Sequence, residues 1–394
     1  MVCVFKLLFW GSLFLVFYTY LGYGIVLTAL VKIKRFFVQQ KVLDTGYTPV
    51  IALVIPCYNE ADILQAKIEN CLALTYPSDK ISIVFITDGS TDSSMDIVRR
   101  YPAVTLIHED KRGGKVAAEN RVMKLVTAPV VVFSDANTIL PPFALMELVK
   151  HYADPRVGAV SGEKRILQKD KEAAAGAGEG IYWKYESFLK KMDSELLTIV
   201  GAAGELFSFR NELYEELEAD TILDDFILSL RIAKKGYRIV YEPAAYAMET
   251  SSVSVKEELK RKIRICAGGW QSIIRLRSLL NPFAHFTLTF QYISHRVLRW
   301  TLTPLALLLL IPVNAWLCWY TGEAFYLLAF VAQVVFYVLA LCGWYLENRS
   351  ISVKLLFVPY YFFIMNYAVF LGFFRYLKGK QSAAWERSQR QVQV

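Results

Sequence analysis

Four long stretches without a charged residue restrict the architecture of this 394-residue chain more than any other feature. They are Leu7–Val31, Trp300–Tyr320, Ala324–Leu346 and Leu355–Phe374. A helix needs about 20 apolar residues to cross the roughly 30 Å of hydrocarbon in a bilayer. Buried core helices are the alternative, but such helices usually carry charge on an exposed face. The sequence therefore predicts one membrane-spanning segment near the amino terminus and three near the carboxyl terminus.

The first stretch has the position of a signal peptide but not its length. The apolar part of a signal peptide has about 7–15 residues, and this stretch is much longer. We therefore expect an anchor that is retained. The six cysteines show no paired spacing, so neither a disulfide framework nor a zinc site is predicted.

Much of the formal net charge of +8 flanks the apolar stretches. Basic residues beside membrane segments favour the cytoplasmic side and contact anionic lipids. Nucleic-acid binding, the other interpretation of a basic chain, is not expected. We therefore expect an integral inner or plasma membrane protein whose central domain faces the cytoplasm. The basic tail follows three further crossings yet favours the same side, so its location stays open. The flanking residues are Lys32, Lys34, Arg35, Lys41, Arg261, Lys262, Arg264, Arg275 and Arg277.

Short apolar runs alternate with helical patterns in the first half of the central domain. The runs Ile51–Pro56, Ile81–Thr87 and Val130–Phe133 are each followed by a polar cluster. Apolar strands separated by helices indicate an α/β fold with a mostly parallel sheet that is covered on both faces. Ligands of such sheets bind at the carboxyl ends of the strands. We therefore expect the polar clusters to meet there and to bind a nucleotide with its metal.

Two glycine-containing turns follow strands in this region. Asp88 opens the turn 88–92, and its carboxylate suits hydrogen bonds from a base or a ribose; a plain capped turn is the alternative. Gly113 and Gly114 precede Lys115 at the start of a predicted helix. The glycines permit close backbone approach, and the cation and helix amides favour a diphosphate. A solvated basic loop is the alternative for this second turn.

Asp135 and Asn137 follow the third apolar run. Hard divalent cations prefer oxygen ligands and keep phosphate oxygens and waters in their shell. The pattern therefore predicts a Mg or Mn site. Because Asn137 contributes only a neutral carbonyl, this site is weaker than one with two carboxylates. A polar turn without metal is the alternative.

The pair Asp224-Asp225 begins a predicted helix that ends at Gly236. The helix dipole favours acidic residues at that position, so simple capping explains the pair without any function. In the functional interpretation, Asp225 takes a proton from an attacking hydroxyl.

Arg261 and Arg264 are three residues apart on another predicted helix and share a face. Two guanidinium groups suit a departing diphosphate, and Trp270 offers a flat face to a sugar. Membrane-surface charge is the alternative explanation of these basic residues.

In this order, the motifs resemble those of membrane-integrated family 2 glycosyltransferases. That family includes hyaluronan, chitin-oligosaccharide, cellulose and poly-N-acetylglucosamine synthases. The resemblance covers nearly the whole chain and implies a GT-A domain with a Rossmann-like sheet. It is carried by Tyr58-Asn59-Glu60, the turn 88–92, Gly113-Gly114-Lys115, Asp135-Ala136-Asn137, Gly201-Ala202-Ala203-Gly204, Asp224-Asp225 and the segment 261–265.

The same resemblance implies a division of the chain and the role of each site residue. We expect an anchor and linker at 1–44, a GT-A domain at 45–279, an interfacial amphipathic segment at 280–299, three membrane segments at 300–376 and a basic tail at 377–394. Asp225 would be the general base, and Asp135 and Asn137 would hold the metal. The acceptor would contact Gly204, Glu205 and Trp270. The donor, most often a UDP-sugar, would contact Tyr58, Glu60, Asp88, Lys115, Asp135, Arg261 and Arg264.

Two motifs depart from the family pattern. Asp-Ala-Asn at 135–137 stands where the family usually has Asp-x-Asp. Arg-Lys-Ile-Arg-Ile at 261–265 stands where processive synthases have Gln-x-x-Arg-Trp, and Trp270 lies further downstream. These departures leave strict metal dependence and long-chain processivity open.

We expect an inverting enzyme that moves a sugar from a nucleotide donor to a saccharide or lipid-linked saccharide in exopolysaccharide or cell-envelope glycan synthesis. The bond formed would be a β-glycoside, made by polymerisation or by a single transfer to a polyprenyl-linked acceptor. Expected partners are donor, acceptor, membrane lipids and export-complex proteins, but not nucleic acid. A flippase is disfavoured because the apolar stretches lack the charge of a polar pathway. A non-catalytic nucleotide-binding subunit of an export complex is the remaining alternative.

Overall fold

A single mixed sheet forms the centre of the part of the chain that the structure describes, residues 1–38, 46–167, 174–250, 255–349 and 353–379. The structure is a computed structural model. The strands are β1 (Ile51–Cys57), β2 (Ile81–Asp88), β3 (Thr105–Glu109), β4 (Val130–Ser134), β5 (Val157–Leu167), β6 (Leu206–Arg210) and β7 (Arg238–Thr250). Their spatial order in this seven-stranded sheet is β3-β2-β1-β4-β6-β5-β7.

The pairing of the strands divides the sheet into two parts. β3, β2, β1 and β4 are parallel to one another, in the register Ile51 opposite Ile81 and Val130. β6 runs antiparallel to both β4 and β5, and β5 is parallel to β7. The sheet is therefore mostly parallel, as predicted, and the carboxyl ends of β1, β2 and β4 lie at one edge.

Helices cover the sheet and form the apolar segments of the described chain. In chain order they are α1 (Val2–Phe17), α2 (Tyr23–Phe37), α3 (Ala61–Leu72), α4 (Ser94–Arg99), α5 (Lys115–Met123), α6 (Ala144–Val149), α7 (Ala174–Leu196), α8 (Asp224–Lys234), α9 (Val255–Arg275), α10 (Phe286–Tyr292), α11 (Leu298–Trp300), α12 (Leu302–Thr321), α13 (Ala324–Glu347) and α14 (Lys354–Leu377).

Two hydrophobic cores lie on opposite faces of the sheet. Along β1, Ala52 and Val54 belong to the first core, and Leu53 and Ile55 belong to the second. The first core also contains apolar residues of α5 and α8, whereas the second contains those of α3 and α6. Because successive side chains of a strand point to opposite faces, a strand buried on both faces must be apolar throughout. This explains the uninterrupted apolar runs in the sequence.

Four helices among the described residues are long and apolar enough to cross a membrane: Val2–Phe37, Leu302–Thr321, Ala324–Glu347 and Leu355–Leu377. The first comprises α1 and α2, joined by a π-helical turn at Tyr18–Gly22. Their surfaces carry exposed large apolar side chains such as Leu328 (68% exposed) and Trp319 (91% exposed). A surface of this kind is stable in hydrocarbon rather than in water. The predicted arrangement of one amino-terminal and three carboxyl-terminal segments is confirmed, and the chain is a membrane protein.

The last of these helices lies directly against the globular part of the protein. A β-carbon added to Gly372 of α14 would lie 2.5 Å from Cys266 Cβ and 2.9 Å from the Ala267 backbone nitrogen on α9. Only glycine permits so close an approach. Helix α9, which carries Arg261 and Arg264, is thereby fixed to the membrane region.

The segment 280–299 differs in detail from a simple amphipathic helix. It contains α10, a π-helical turn at Ile293–Val297 and the start of α11. His295 is fully buried, with Nδ1 2.6 Å from Asp193 Oδ2 on α7. Arg296 and Arg299 of the same segment donate hydrogen bonds to Glu186 on α7. These polar side chains therefore connect the segment to α7. The predicted basic tail lies outside the described residues from position 380 onward.

Candidate active site

The turns after β1 and β2 are held together by Asn59. This residue has a positive φ of 51°, a backbone conformation that asparagine tolerates better than most residues. Its Oδ1 accepts a hydrogen bond from the Thr91 backbone nitrogen at 2.8 Å, and its own backbone nitrogen donates to Ser90 Oγ at 3.2 Å. Tyr58 and Glu60 are thereby placed at the edge of the sheet, with Glu60 buried at the start of α3.

Asp88, at the end of β2, holds the glycine-containing turn. Its Oδ2 accepts hydrogen bonds from the backbone nitrogens of Gly113 at 2.8 Å and Gly114 at 2.6 Å. Its Oδ1 lies 3.3 Å from Arg121 Nη2. Gly114 has a φ of 93°, which an L-residue rarely adopts. Asp88 therefore fixes the turn that delivers Lys115, and its contact with a nucleobase stays a prediction.

A shallow cleft lies between these turns, and we call it the Tyr58 cleft. The Arg112 guanidinium lies over the Tyr58 ring, 3.8 Å from its centroid. An aromatic ring and a planar cation beside glycine backbone suit a flat, hydrogen-bonding ligand. The cleft is lined by Pro56, Cys57, Tyr58, Asp88, Arg112, Gly114, Lys115 and Ala118.

A second shallow cleft lies next to the first, and we call it the Asp225 cleft. Lys115 lines both clefts. Its Nζ is 3.1 Å from Asp224 Oδ2, 3.2 Å from Asp135 Oδ1 and 3.7 Å from Glu119 Oε1. The Asp225 cleft is lined by Lys115, Glu119, Phe133, Gly204, Phe207, Asp224, Asp225 and Leu228.

Crowding of these charges shifts their pKa values in different directions. Burial opposes the charged form of Lys115, but Asp135, Asp224 and Glu119 outweigh it and raise the pKa of Lys115 well above its usual value. Burial also opposes ionisation of Asp224, yet the contact with Lys115 lowers the pKa of Asp224. Burial and the neighbouring Asp224 raise the pKa of Glu119 well above its usual value. Asp224 therefore carries the negative charge while Glu119 favours its protonated form.

Asp225 has the environment of a proton acceptor that works near neutral pH. Burial and the adjacent Asp224 raise the pKa of Asp225 to about 7, although Lys115 acts in the opposite direction. The carboxylate lies next to Gly204, where an added β-carbon would be 3.0 Å from Asp225 Oδ2. The missing side chain at Gly204 thus leaves room for the carboxylate. A base with a pKa near the working pH is the most effective one.

The turn that carries Asp135 and Asn137 is fixed by a buried lysine of α3. Lys67 Nζ donates to Ser134 Oγ at 2.9 Å and to the Thr138 carbonyl oxygen at 2.9 Å. The described residues contain no group of three or more His, Cys, Asp or Glu side chains that could hold a metal by themselves. Carboxylates nevertheless outnumber cations around Lys115, so the site suits a divalent cation that takes its other ligands from phosphate oxygens and water.

The predicted diphosphate-binding arginines both lie on α9. Arg261 donates two hydrogen bonds to Glu258, at 3.0 Å and 3.1 Å. Arg264 Nη2 donates to the Ile222 carbonyl oxygen at 3.4 Å, and its charge helps to lower the pKa of Asp224. Arg264 is therefore within electrostatic range of the Asp225 cleft, while Arg261 is held by a carboxylate of its own helix.

The predicted acceptor residues are not all in one place. Glu205 follows Gly204 but pairs with the buried Lys164 at 2.8 Å, and Lys164 also pairs with Glu249. Burial opposes ionisation of Glu205, yet Lys164 lowers its pKa well below the usual value. Trp270 packs against Phe373 of α14, with ring centroids 4.7 Å apart. Gly204 is thus brought to the cleft, whereas Trp270 lies against a membrane helix.

Two residues of the site were missed by reasoning from the sequence. Lys67 is three residues from Leu64 and four from Cys71 on the buried face of α3, and a lysine at such a position signals a buried partner. Glu119 follows Lys115 by four residues on α5, a spacing that brings side chains together on a helix. The helical spacing of Lys67 and Glu119 could therefore have identified both residues from the sequence.

Among the proteins with similar sequences are polysaccharide synthases of two staphylococcal species. The chain is 28% identical over 237 residues to the poly-beta-1,6-N-acetyl-D-glucosamine synthase of Staphylococcus aureus, covering 57% of this chain and 56% of that protein. It is 26% identical over 235 residues to the synthase of the same name from Staphylococcus epidermidis, with the same coverage. The matched region thus spans about half the length of these relatives.

A solved structure has the same overall fold. The mannosyltransferase PcManGT from Pyrobaculum calidifontis, solved in complex with GDP-Man and Mn²⁺, matches with a TM-score of 0.69 and 22% identity. The match covers 96% of this chain and 99% of that one. The catalytic region therefore has the GT-A fold that the resemblance implied.

The sequence model of the family described as Glycosyltransferase like family 2 matches residues 49–268, which contain both clefts. This range includes Asp88, Lys115, Asp135 and Asp225. The match covers more than half of the chain and shows that this membrane protein belongs to that family.

Proposed function

We propose that this protein is an inverting glycosyltransferase that moves a sugar from a nucleoside diphosphate donor, UDP-linked in the simplest case, to a saccharide or lipid-linked saccharide. The bond formed is a β-glycoside, and the product enters an exopolysaccharide or a cell-envelope glycan. The catalytic domain works at the cytoplasmic face of the membrane, where nucleotide sugars are available. The names of the staphylococcal relatives support a saccharide product of this kind.

The observation that carries the proposal is the position of Asp225 in a cleft that shares Lys115 with the Tyr58 cleft. A proton acceptor with a pKa of about 7 thus lies one lysine away from a site suited to a nucleotide. Asp225 takes the proton from the acceptor hydroxyl as its oxygen attacks the anomeric carbon. A single displacement from the face opposite the leaving group inverts the configuration at that carbon.

The donor would occupy the Tyr58 cleft with its diphosphate at Lys115. Tyr58, Glu60 and Asp88 would contact the nucleoside, and Lys115 would reach the phosphates from the first turn of α5. Helix amides and a cation favour phosphate at such a position. Arg261 and Arg264 would complete the site, which requires Arg261 to leave Glu258 or to reach the phosphate while still bonded to it.

Asp135 and Asn137 are the residues that would hold Mg or Mn. A divalent cation there would neutralise the charge that develops on the departing diphosphate, the main contribution of metals to such chemistry. The bound Mn²⁺ and GDP-Man of the mannosyltransferase support this assignment. The excess of carboxylates around Lys115 supports it independently.

The acceptor would approach Asp225 past Gly204 and Glu205, with Trp270 further along α9 towards the membrane. Polymerisation and single transfer place the same demands on the cleft. The length of the product after incubation with a labelled donor separates them, because a ladder of sizes indicates polymerisation and one added sugar indicates single transfer.

The test is nucleotide release by the purified full-length protein in nanodiscs. A panel of nucleotide sugars is supplied with and without Mn²⁺, and the configuration of the new bond is determined by NMR. We expect one donor to be preferred, stimulation by Mn²⁺ and an inverted linkage. Binding of nucleotide without release from any donor would instead indicate a non-catalytic subunit of an export complex.

A further inference from the structure

Glu119 is a buried carboxyl group to which the described residues offer no hydrogen-bond donor. It follows Lys115 by one turn of α5, is 1% exposed and lines the Asp225 cleft. Its Oε1 is buried, and no hydrogen bond from a described group reaches it. A carboxylate that is both buried and ionised requires such donors, because it has lost its hydration. Glu119 is therefore stable here as a neutral acid or beside a partner that carries a proton.

Lys115 does not provide the missing donor. Its Nζ lies 3.7 Å from Glu119 Oε1, which is longer than a hydrogen bond. The same Nζ is 3.2 Å from Asp135 Oδ1 and 3.1 Å from Asp224 Oδ2. The ammonium therefore engages the two aspartates and leaves Glu119 as a third carboxyl group beside one cation.

The other groups around Glu119 do not donate to it either. Tyr214, whose pKa burial and Glu119 both raise, uses its hydroxyl to donate to Asn120 Oδ1 at 2.5 Å. The cleft also contains three apolar side chains, those of Phe133, Phe207 and Leu228. The titratable groups around Glu119 are Lys115 of α5, Asp135 after β4, Asp224 and Asp225 of α8, and Tyr214 of the loop before α8. A proton held by one of the carboxyl groups therefore has to meet the requirement.

Asp224 is the carboxyl group placed to share that proton. Its Oδ2 and Glu119 Oε1 are both within ion-pair distance of Lys115 Nζ, and the two carboxyl groups are close enough for a hydrogen bond. Two carboxyl groups in such contact do not both ionise, because their charges repel. Lys115 is nearer to Asp224 and keeps it ionised, so the proton resides on Glu119. Burial and Asp224 accordingly raise the pKa of Glu119 well above its usual value.

We propose that Glu119 is a positioning residue, which as a neutral acid donates a hydrogen bond to Asp224 and thereby keeps Lys115 available to the diphosphate. This inference rests on the proposed function, because it takes Lys115 as the residue that reaches the phosphates. With Glu119 neutral, a phosphate oxygen competes with two aspartates for the three N–H groups of the ammonium. With Glu119 ionised, a third carboxylate draws the ammonium away and repels the phosphate. Donor binding therefore weakens as Glu119 loses its proton.

The protonation state is tested by infrared spectroscopy on the full-length protein in nanodiscs at neutral pH. The spectrum of Glu119→Gln is subtracted from that of wild type, and Glu216→Gln is the matched control. Glu216 is exposed and pairs with Lys124, and exposed glutamates are ionised at neutral pH. We expect the Glu119→Gln difference to show the carbonyl band of a protonated carboxyl group and the control to show carboxylate bands. Carboxylate bands in both differences would overturn the proposal.

The positioning role is tested by calorimetry with whichever of UDP and GDP wild type binds more tightly, in the presence of Mg²⁺. Glu119→Gln keeps a neutral hydrogen-bond donor, whereas Glu119→Leu removes it at similar volume. At neutral pH we expect Glu119→Gln to bind within about twofold of wild type and Glu119→Leu about tenfold more weakly, the effect of one hydrogen bond to a charged group. Equal losses in the two variants, or no loss in either, would overturn the role.

The pH dependence of nucleotide binding is a readout that a purely structural role would not change. Because its pKa is raised, Glu119 is neutral at low pH and ionises as the pH rises through that value. Lys115 stays charged there, since the surrounding carboxylates raise its pKa despite burial. Wild type therefore loses affinity on the alkaline side, whereas Glu119→Gln, which has no proton to lose, retains it. A parallel alkaline loss in both proteins would assign the effect to another group and overturn the proposal.

The infrared comparison uses only isosteric variants, so it decides the protonation state even where Glu119→Leu is unstable. Failure of the proposed function has a different signature. Wild type would then bind neither nucleotide, or would release none from any donor, while the infrared result on Glu119 would be unaffected.

Discussion

The Tyr58 cleft and the Asp225 cleft share Lys115 but hold their carboxylates in different ways. In the Tyr58 cleft, Asp88 accepts two backbone hydrogen bonds from the glycine-containing turn. In the Asp225 cleft, burial and the neighbouring charge of Asp224 raise the pKa of Asp225 to about 7. The first arrangement fixes geometry, and the second adjusts proton affinity.

This difference corresponds to two tasks in glycosyl transfer. A donor site must be shaped before the ligand arrives, which hydrogen-bonded turns achieve because little freedom is then lost on binding. A base must have a pKa that suits the working pH, and burial and neighbouring charges set that pKa. The following variants perturb one cleft at a time, so that the two tasks are separated experimentally.

The largest effect is expected for Asp225→Asn. The amide cannot accept the acceptor proton, so turnover falls by about 10²–10⁴-fold while the donor still binds. Transfer rate and donor affinity are measured in the same preparation, by nucleotide release and by calorimetry. Asp220→Asn is the matched control, since Asp220 is an exposed carboxylate on the loop before α8 that pairs with Arg275. Full turnover in Asp225→Asn would remove this residue from the role of base.

A second large effect is expected for Lys115→Met. Without the Lys115 cation, the carboxylates of the cleft repel the negative charge of the departing diphosphate. Turnover therefore falls by about 10²–10³-fold. Because Lys115 lowers the pKa of Asp225, the variant also needs a higher pH for activity. Lys124→Met, on an exposed lysine after α5, should leave both the rate and the pH profile unchanged. An unaltered pH profile in Lys115→Met would show that Lys115 does not influence the pKa of Asp225.

The pH dependence of wild type tests the Asp225 cleft without mutation. Since the pKa of Asp225 is raised to about 7, the carboxylate that accepts the proton forms as the pH rises through this value. Below it, kcat/KM falls about tenfold for each pH unit. Bound Mn²⁺ stabilises the carboxylate and moves the rising limb to lower pH. A limb near the usual pKa of an aspartate, in the absence of metal, would contradict the assigned environment.

The smallest effect is expected for Asn59→Gly, which perturbs only the Tyr58 cleft. Glycine tolerates the positive φ at this position but loses the 2.8 Å hydrogen bond from the Thr91 backbone nitrogen. The variant also loses the longer, exposed hydrogen bond from Asn59 Nδ2 to Thr91 Oγ1 at 3.3 Å. The KM of the donor rises about two- to tenfold, because such hydrogen bonds each contribute little to the net free energy, while kcat is retained. Initial rates over a range of donor concentrations measure both constants. A fall in kcat with unchanged KM would show that the two clefts do not divide the tasks.

Local patterns were sufficient for the half of the sheet that holds the Tyr58 cleft. The strands β1, β2 and β4 and the start of α8 follow from apolar runs, turns and an acidic helix start that lie within a few residues of one another. The antiparallel β6 between β4 and β5 was not predicted. Its residues, Leu206–Arg210, form a short segment whose partners are more than 40 positions away along the chain. Periodicity within a segment carries no information about such partners.

By itself, the sequence determined the membrane-spanning helices, the mostly parallel α/β core and the chemical types at the strand ends. These depend on interactions within a helix or a strand and on transfer of apolar side chains from water. Only the tertiary structure decided that Lys67 is buried beneath the Asp135 turn and that Glu119 joins the Asp225 cleft. The physical reason is that a charge's environment depends on every group within a few ångströms, and folding brings those groups from distant parts of the chain.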